Sequence, residues 1–174
     1  RFFQETLDAV RRVPGVTSAA LTNQLPLSGD QDLFGVHFDP PRTNDPGEIR
    51  GTYRYTVSPG YLEAMGIPLR RGRALSEQDV AGAPRVALIS ESLAKRRLAG
   101  IDPIGVRLRI GAPDSPRFTV VGVVGDVKQL SLAVNESEAV YVSMSQFHFA
   151  DNAMSLVVRG RGDDRPQAPT SQYG

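Results

Sequence analysis

The chain has 174 residues, enough for one domain of ordinary size or two small ones. Its 20 basic and 19 acidic residues give a net charge of +1 and are well mixed along the chain, so there is no electrostatic case for a nucleic-acid binder, which concentrates positive charge. It contains no cysteine, which excludes disulfides, thiolate metal sites and cysteine nucleophiles, and no apolar run approaches the roughly 20 residues of a membrane-spanning helix.

The first fifty residues predict one helix, two strands and loops. Apolar residues recur at helical spacing over residues 3–10, and a Pro-Gly pair ends this helix. Because the chain starts abruptly inside a helix, it is expected to be a fragment of a longer protein. Residues 16–21 and 33–38 are predicted as strands. Loops are predicted at residues 25–32 and 39–47.

The stretch YRYTVSPGYLEAMG predicts a strand followed at once by a short helix. The alternation in residues 53–57 is typical of a half-buried strand. Ser58 is the expected N-cap, with proline at the first helical position, and Gly66 is the expected C-terminal stop. Ser76 and Asp79 have the spacing of a capping box and predict the start of another helix.

The second half of the chain predicts mainly strands. Residues 86–89 form an apolar run typical of a buried strand, and Ser90 or Ser92 is expected to cap the helix that follows. Short strands mixed with a few short helices predict the α+β class. The further predicted strands are residues 106–110 and 118–124, paired as a hairpin, and residues 139–142 and 154–158.

No catalytic, cofactor-binding or metal-binding site is predicted. His37 and His148 lack a second histidine or carboxylate at metal-ligand spacing, so both are interpreted as ordinary histidines. The stretch GVVGDV lacks the third glycine and the following helix of a phosphate-binding turn; it indicates a strand bend or bulge, with Asp126 as a turn residue. Ser90 lies where a nucleophile elbow would place its serine, but the flanking glycines are missing and helix capping explains it.

Two short basic clusters supply the candidate partner-binding residues. One is the turn RRGR, and the other is the KRR run in the helix after the buried strand. A solvated face is the simpler interpretation; a docking surface for anionic headgroups or an acidic partner is the alternative. The residues concerned are Arg70, Arg71, Arg73, Lys95, Arg96 and Arg97.

Four stretches, which together cover most of residues 25–128, occur in the order of a known family. They are LPLSG, YTVSPGYLEAMGIPLRRGRALSEQD, VALISESLAKRRLAGIDPIGVRLRI and FTVVGVVGDVK. In this order they resemble the MacB-like periplasmic core domain, the large extracytoplasmic loop of FtsX-type permease subunits of ABC transporters. Each stretch alone is a weak match to the family, but the order of all four is specific to it. The opening helix and strand also fit the start of the family's domain.

The resemblance implies a location and a set of partners. The domain would lie between the first and second transmembrane helices of a permease, at the extracytoplasmic (periplasmic) face of the bacterial inner membrane. Its expected partners are those transmembrane helices, a cytoplasmic ATPase subunit or domain, and a periplasmic or outer-membrane protein, with no nucleic acid and no cofactor. The implied role is non-catalytic: it couples cytoplasmic ATP hydrolysis to movement outside the membrane, in export, lipoprotein extraction or envelope regulation.

The resemblance also implies two lobes. Residues 1–52 and 117–160 would form a porter-like α/β lobe, residues 53–116 an inserted, mostly β (Sabre-like) lobe, and residues 161–174 an irregular tail where the family continues with a helix and a strand. An extracytoplasmic ligand-binding sensor module is the alternative function, and an enzyme is a third. The parent permease is expected to be a dimer, and the isolated domain, which lacks a heptad pattern and a long apolar helix, a monomer.

Overall fold

The computed structural model describes residues 2–29, 32–41, 51–128, 138–147 and 153–161. Within these ranges helices and strands are mixed, which confirms the α+β prediction, and none of the described helices is long and apolar enough to span a membrane. The helices are α1 (Phe2–Arg11), α2 (Tyr61–Met65) and α3 (Glu91–Arg97). The strands are β1 (Val16–Thr22), β2 (Leu33–Phe34), β3 (Val36–Asp39), β4 (Thr52–Val57), β5 (Leu69–Gly72), β6 (Val86–Ser90), β7 (Arg107–Ile110), β8 (Arg117–Val124), β9 (Ala139–Ser143) and β10 (Ser155–Gly160).

All the described strands belong to one mixed sheet. Its order is β10-β1-β4-β9-β6-β8-β7-β3, with β2 also paired to β4 and β5 also paired to β8. The pairs β4–β9 and β6–β8 are parallel, and the other described pairs are antiparallel. β7 and β8 form the predicted hairpin, in which Leu108 lies opposite Phe118.

The central strands are buried on both faces of the sheet. Along β6 the side chains alternate between two clusters: Leu88 packs with Tyr141 on one face, and Ile89 packs with Val140 on the other. Helix α2 joins the first cluster through Tyr61, and helix α3 joins the second. Every residue of β4, β6 and β9 is therefore buried.

Three tyrosines form the centre of the first cluster. The rings of Tyr55 and Tyr141 are stacked with centroids 5.0 Å apart, and Tyr61 lies 6.2 Å and 6.1 Å from them. Burial raises the pKa of Tyr61 to about 12 and also raises the pKa of Tyr141. These hydroxyls therefore stay neutral at physiological pH, and the cluster works as packing.

The expectation that residues 53–57 form a half-buried strand is wrong. Both sides of β4 are covered, and Arg54 and Thr56, predicted to face solvent, are each only 2% exposed. The reason is that the rings of Phe34 and Phe147 cover the second face. Alternation in the sequence identified the strand correctly but could not show a second covered face.

Helix α2 does not begin with the predicted serine cap. The N-cap is Gly60, whose φ of 87° is in the left-handed region, and it makes no side-chain capping bond. Ser58 instead accepts a hydrogen bond from the Leu21 amide, 2.9 Å from its Oγ, and so ties the segment before α2 to β1. The predicted stop at Gly66, with φ of 69°, is confirmed.

The helix predicted after residue 76 is absent, although its capping contacts form. The Ser76 amide donates to Asp79 Oδ2 at 2.7 Å, and the Gln78 amide donates to Ser76 Oγ at 3.3 Å. The chain then continues through a turn instead of a helix. Likewise, the predicted strand at residues 33–38 is split at Gly35 into β2 and β3.

The lobe boundaries at residues 53 and 116 remain a prediction. The described strands of both predicted lobes belong to one sheet: β4, the first strand of the predicted inserted lobe, lies between β1 and β9. Of the predicted tail, the described part is Arg161, whose amide donates to the Gly15 carbonyl at 2.8 Å.

Candidate functional site

The predicted basic turn is strand β5, which lies against β8 through two facing glycines. A Cβ at Gly72 would lie 2.1 Å from the Val121 carbonyl oxygen, and one at Gly122 would lie 2.4 Å from the Arg73 carbonyl oxygen. Only glycine fits at either position. Beside Gly122 the register between β6 and β8 shifts by one residue, so the bend or bulge predicted for GVVGDV is confirmed.

The two basic clusters, separate in the sequence, meet in one open groove between β5 and α3, which we call the basic groove. Its volume is about 620 Å³. Arg70 and Arg71 reach it from β5 and Lys95 from α3, opposed by one lining carboxylate, Glu91. Apolar side chains complete the lining; they include Ala94, Leu98, Ile101, Pro103 and Val123.

The arginines of the basic groove are held loosely. Arg70 Nε lies 3.3 Å from Glu91 Oε2, and Arg71 Nη2 lies 3.0 Å from Asp102 Oδ1. Both arginine side chains are 53% exposed, and exposed ion pairs of this kind contribute little to stability. Lys95 has no ion pair among the described residues. These three cations are therefore available to an anionic group.

Arg73 is engaged elsewhere. Its guanidinium donates two hydrogen bonds to the carboxylate of Asp79, both of 2.9 Å. This contact lowers the pKa of Asp79, with a further contribution from the Ser76 amide, and raises the pKa of Arg73. The Arg73–Asp79 pair therefore fixes the turn after β5 instead of extending the basic groove.

Arg97, predicted as an exposed partner-binding residue, is buried, and this expectation is corrected. Its side chain is 0% exposed. The guanidinium lies 4.8 Å from the centroid of the Phe38 ring, donates to the Val36 carbonyl and lies 3.8 Å from a Glu138 oxygen. Arg96, 41% exposed, reaches the same carboxylate at 4.0 Å. In the last turn of α3, Arg97 therefore faces the protein interior and Arg96 faces solvent.

Ser90 is the N-cap of α3, as predicted. Its Oγ accepts from the Leu93 amide at 3.3 Å and also from the Ala139 amide at 3.0 Å. Asp126, interpreted as a turn residue, accepts from the Ser92 amide at 2.9 Å and so supports the same helix terminus. These groups bind backbone amides, which is a structural task.

The histidine prediction is tested at one position. His37 Nε2 lies 3.0 Å from the Gly111 carbonyl oxygen, between strands, while His148 lies outside the described residues. Over the described ranges there is no group of three or more histidine, aspartate or glutamate side chains that could hold a metal ion.

Sequence reasoning missed a buried cationic contact on β4. The Arg54 guanidinium lies 4.7 Å from the centroid of the Phe34 ring and 4.7 Å from that of the Phe147 ring. It also pairs with Asp32 and donates to Thr56 Oγ1 at 2.8 Å. The only local signal in the sequence was an arginine on the polar side of a strand, and a residue in that position normally faces solvent.

Comparisons with known proteins bear on the family and the fold of the chain. The family model described as MacB-like periplasmic core domain matches residues 2–170. The chain is similar to the periplasmic region of MacB from Actinobacillus actinomycetemcomitans, with a TM-score of 0.62, 18% identity, and coverage of 94% of this chain and 66% of that one. It is also similar to the extracellular domain of the noncanonic ABC-type transporter YknZ from Gram-positive bacteria, with a TM-score of 0.61, 14% identity, and coverage of 92% and 74%.

A third similar structure is a domain of a putative permease protein from Porphyromonas gingivalis, with a TM-score of 0.53, 20% identity, and coverage of 91% and 68%. The chain thus spans slightly less than two thirds of the MacB region and somewhat more of the other two. At these identities the structural likeness establishes the fold. No curated protein sequence matches the chain significantly.

Proposed function

The chain belongs to the MacB-like periplasmic core domain family and lies on the extracytoplasmic side of the inner membrane, and from this membership we propose that it is a moving, non-catalytic part of an ABC transporter permease. In this role a cytoplasmic ATPase hydrolyses ATP, and the transmembrane helices of the permease pass the resulting movement to this domain. The family match over residues 2–170 carries the proposal.

The arrangement of the sheet supports a role in passing on movement. Strands β1 and β10 pair with each other at one end of the sheet, from Val16 opposite Gly160 to Thr22 opposite Ser155. Helix α1 packs on β1, so connections to membrane helices before α1 and after β10 would both leave from this edge of the sheet. The basic groove lies several strands away, beyond β4, β9 and β6. Because interiors packed on both faces deform little, a displacement at the first end would move the groove as well.

The basic groove is the proposed contact for a partner outside the membrane. Three cations over an apolar floor complement an acidic protein surface or anionic lipid headgroups, the two alternatives that the sequence left open. Arg73, which donates two hydrogen bonds to Asp79, and Arg96 do not line the groove and would contribute less. Because the cations are exposed, binding in the groove is expected to weaken as salt concentration rises.

The experiment uses the complete permease with its ATPase in lipid nanodiscs. The chain has no cysteine, so Asp114→Cys, in the exposed turn between β7 and β8, places one nitroxide label at a defined position. Pulsed electron paramagnetic resonance then measures the distance between the two labelled copies of the permease dimer. The distance distribution is expected to change between the nucleotide-free and ATP-bound states, and identical distributions would overturn the coupling role.

Two measurements on the isolated chain complete the test. It is expected neither to bind nor to hydrolyse ATP, and nucleotide-dependent hydrolysis well above the buffer rate would contradict a non-catalytic role. Light scattering at micromolar concentration is expected to give a monomer. A stable dimer needs an interface of roughly 1,000 Å² or more, and the sequence has neither a heptad pattern nor a long apolar helix to form one. A persistent dimer in dilute solution would contradict that expectation.

A further inference from the structure

A second pocket, which we call the aromatic pocket, shares no lining residue with the basic groove. Its volume is about 540 Å³, within the range of roughly 300–1,000 Å³ that small-molecule sites occupy. The apolar part of its wall is contributed by strands β2, β7 and β8, by the turn between β7 and β8, and by the segment after β9. The apolar side chains lining it are Phe34, Ile110, Pro116, Phe118 and Phe147.

Two of the aromatic rings that line this pocket are held in place by a buried arginine. Phe34 and Phe147 each stack against the buried Arg54 guanidinium, 4.7 Å from their ring centroids. Phe147 also lies 6.0 Å from Phe118, ring centroid to ring centroid. Because Arg54 is itself buried and paired with Asp32, the rings are fixed before any ligand arrives. A preformed wall lowers the entropic cost of binding an apolar group.

The pocket carries two polar groups that are not used within the described part of the fold. Arg85 is exposed, is the one charged side chain among the described lining residues, and has no ion pair with any described residue. The Ser115 hydroxyl is buried and has no hydrogen-bond partner among the described residues. The Gln146 amide, by contrast, is already engaged by the Val86 amide at 3.1 Å and the Pro84 carbonyl at 3.0 Å.

We propose that the aromatic pocket binds a small anionic amphiphile, whose apolar body packs against the phenylalanine rings while its anionic group pairs with Arg85. A carboxylate, sulfonate or phosphate matches the guanidinium through charge-assisted hydrogen bonds. This site is independent of the basic groove and of the coupling role: a permease domain could bind a ligand here whether or not it transmits movement.

The test uses two fluorescent probes with the same apolar body, anilinonaphthalenesulfonate as the anion and phenylnaphthylamine as its neutral counterpart. Both are expected to bind the chain saturably at one site. Arg85→Gln is expected to weaken binding of the anionic probe about tenfold and to leave the neutral probe unchanged, because it removes one charge-assisted contact. Arg12→Gln, which removes an exposed arginine just after α1 and outside the pocket lining, is the charge-matched control and is expected to change neither probe.

A second variant blocks the pocket without entering the core. Ala112 is exposed and lines the pocket, so Ala112→Trp is expected to abolish binding of both probes while the thermal midpoint stays near that of the wild type. Saturable binding that survives Ala112→Trp in a folded variant would overturn the proposal, because the probes would then bind elsewhere. Equal weakening of the anionic probe by Arg85→Gln and Arg12→Gln would overturn the assignment of the anion to Arg85.

One further outcome concerns the chain itself. If the wild type binds neither probe at millimolar concentration, the proposal is wrong.

Discussion

The arginines inside the sheet and those of the basic groove are held in opposite ways. Arg54 and Arg97 have side chains that are 3% and 0% exposed, and each has a carboxylate, a carbonyl or hydroxyl oxygen and at least one aromatic ring around it. Arg70 and Arg71 have side chains that are 53% exposed, and each makes one contact with an exposed or half-exposed carboxylate. The same residue type therefore serves two purposes, set by whether the local face of the sheet is covered.

Buried and exposed arginines therefore contribute to different properties of the protein. A buried guanidinium is costly to desolvate and becomes indispensable once its partners are built around it. An exposed guanidinium contributes little to folding, so it is free to bind something else. The stability effect of removing each arginine should therefore separate structural arginines from those available to a partner.

Arg97→Met is expected to have the largest effect, a loss of about 3–5 kcal/mol in the free energy of unfolding. The substitution removes the 3.8 Å contact to Glu138, whose side chain is 9% exposed, and it removes the donor to the Val36 carbonyl. Urea denaturation at pH 7 measures the loss. The matched control is Arg96→Met, the exposed neighbour, which is expected to cost less than about 1 kcal/mol. Equal losses for the two variants would contradict the distinction between buried and exposed arginines.

Ser90→Ala extends the comparison to a neutral buried group. A helix cap alone is worth about 1 kcal/mol, but Ser90 also accepts from the Ala139 amide of β9, so two buried donors lose their acceptor. We therefore expect a loss of about 2–3 kcal/mol. Hydrogen exchange should show faster exchange at both the Leu93 and Ala139 amides. A loss of only about 1 kcal/mol, with the Ala139 amide still protected, would mean that the cap alone matters.

Asp79→Asn tests a pair that lies between the two classes, because Arg73 is 50% exposed and Asp79 is 6% exposed. Arg73 holds the pKa of Asp79 below its usual value, so the pair stabilises the fold above the usual carboxyl pKa of about 3.9, and this contribution is lost as pH falls through the lowered pKa. We expect the variant to be less stable by about 1–2 kcal/mol at pH 7. Urea denaturation from pH 7 to pH 2 should show the difference shrinking towards the acid end, whereas a constant difference would assign the effect to the amide itself.

The combined variant Arg70→Gln, Arg71→Gln, Lys95→Gln is expected to have the smallest effect on stability, within about 0.5 kcal/mol of the wild type. The same variant should lose salt-dependent binding to a partner in the basic groove. Thermal denaturation of the isolated chain and function of the complete permease measure the two effects. A large drop in the thermal midpoint would show that these side chains are structural, as Arg97 is.

Local patterns in the sequence identified most strands and one helix cap. Strands β6, β8 and β9 are apolar runs with little ambiguity, and the serine after β6 caps α3 because the donor it needs, the Leu93 amide, is three residues away. The stop at Gly66 depends only on its own backbone conformation. Each of these features is decided by residues close together in the chain.

The predictions that were wrong concern contacts between residues far apart in the chain. Ser58 was predicted to cap its own helix, but its hydroxyl binds the Leu21 amide, 37 positions away. Arg97 is buried because Val36 and Phe38 of β3 cover that side of α3, a contact that helical spacing cannot show. The joining of the two basic clusters in one groove was missed for the same reason, since it depends on how β5 and α3 are placed around β8.

Strand β10 has a consequence for handling the isolated chain. It pairs with β1 on one side, and no described strand pairs with its other side. Leu156 and Val158 on this strand are 40% and 46% exposed, so among the described residues this edge carries exposed apolar side chains. Such an edge is a template for strand addition. Concentrated preparations will therefore tend towards aggregation along β10, and a lysine in place of Val158 is the simplest way to keep the chain soluble for every measurement above.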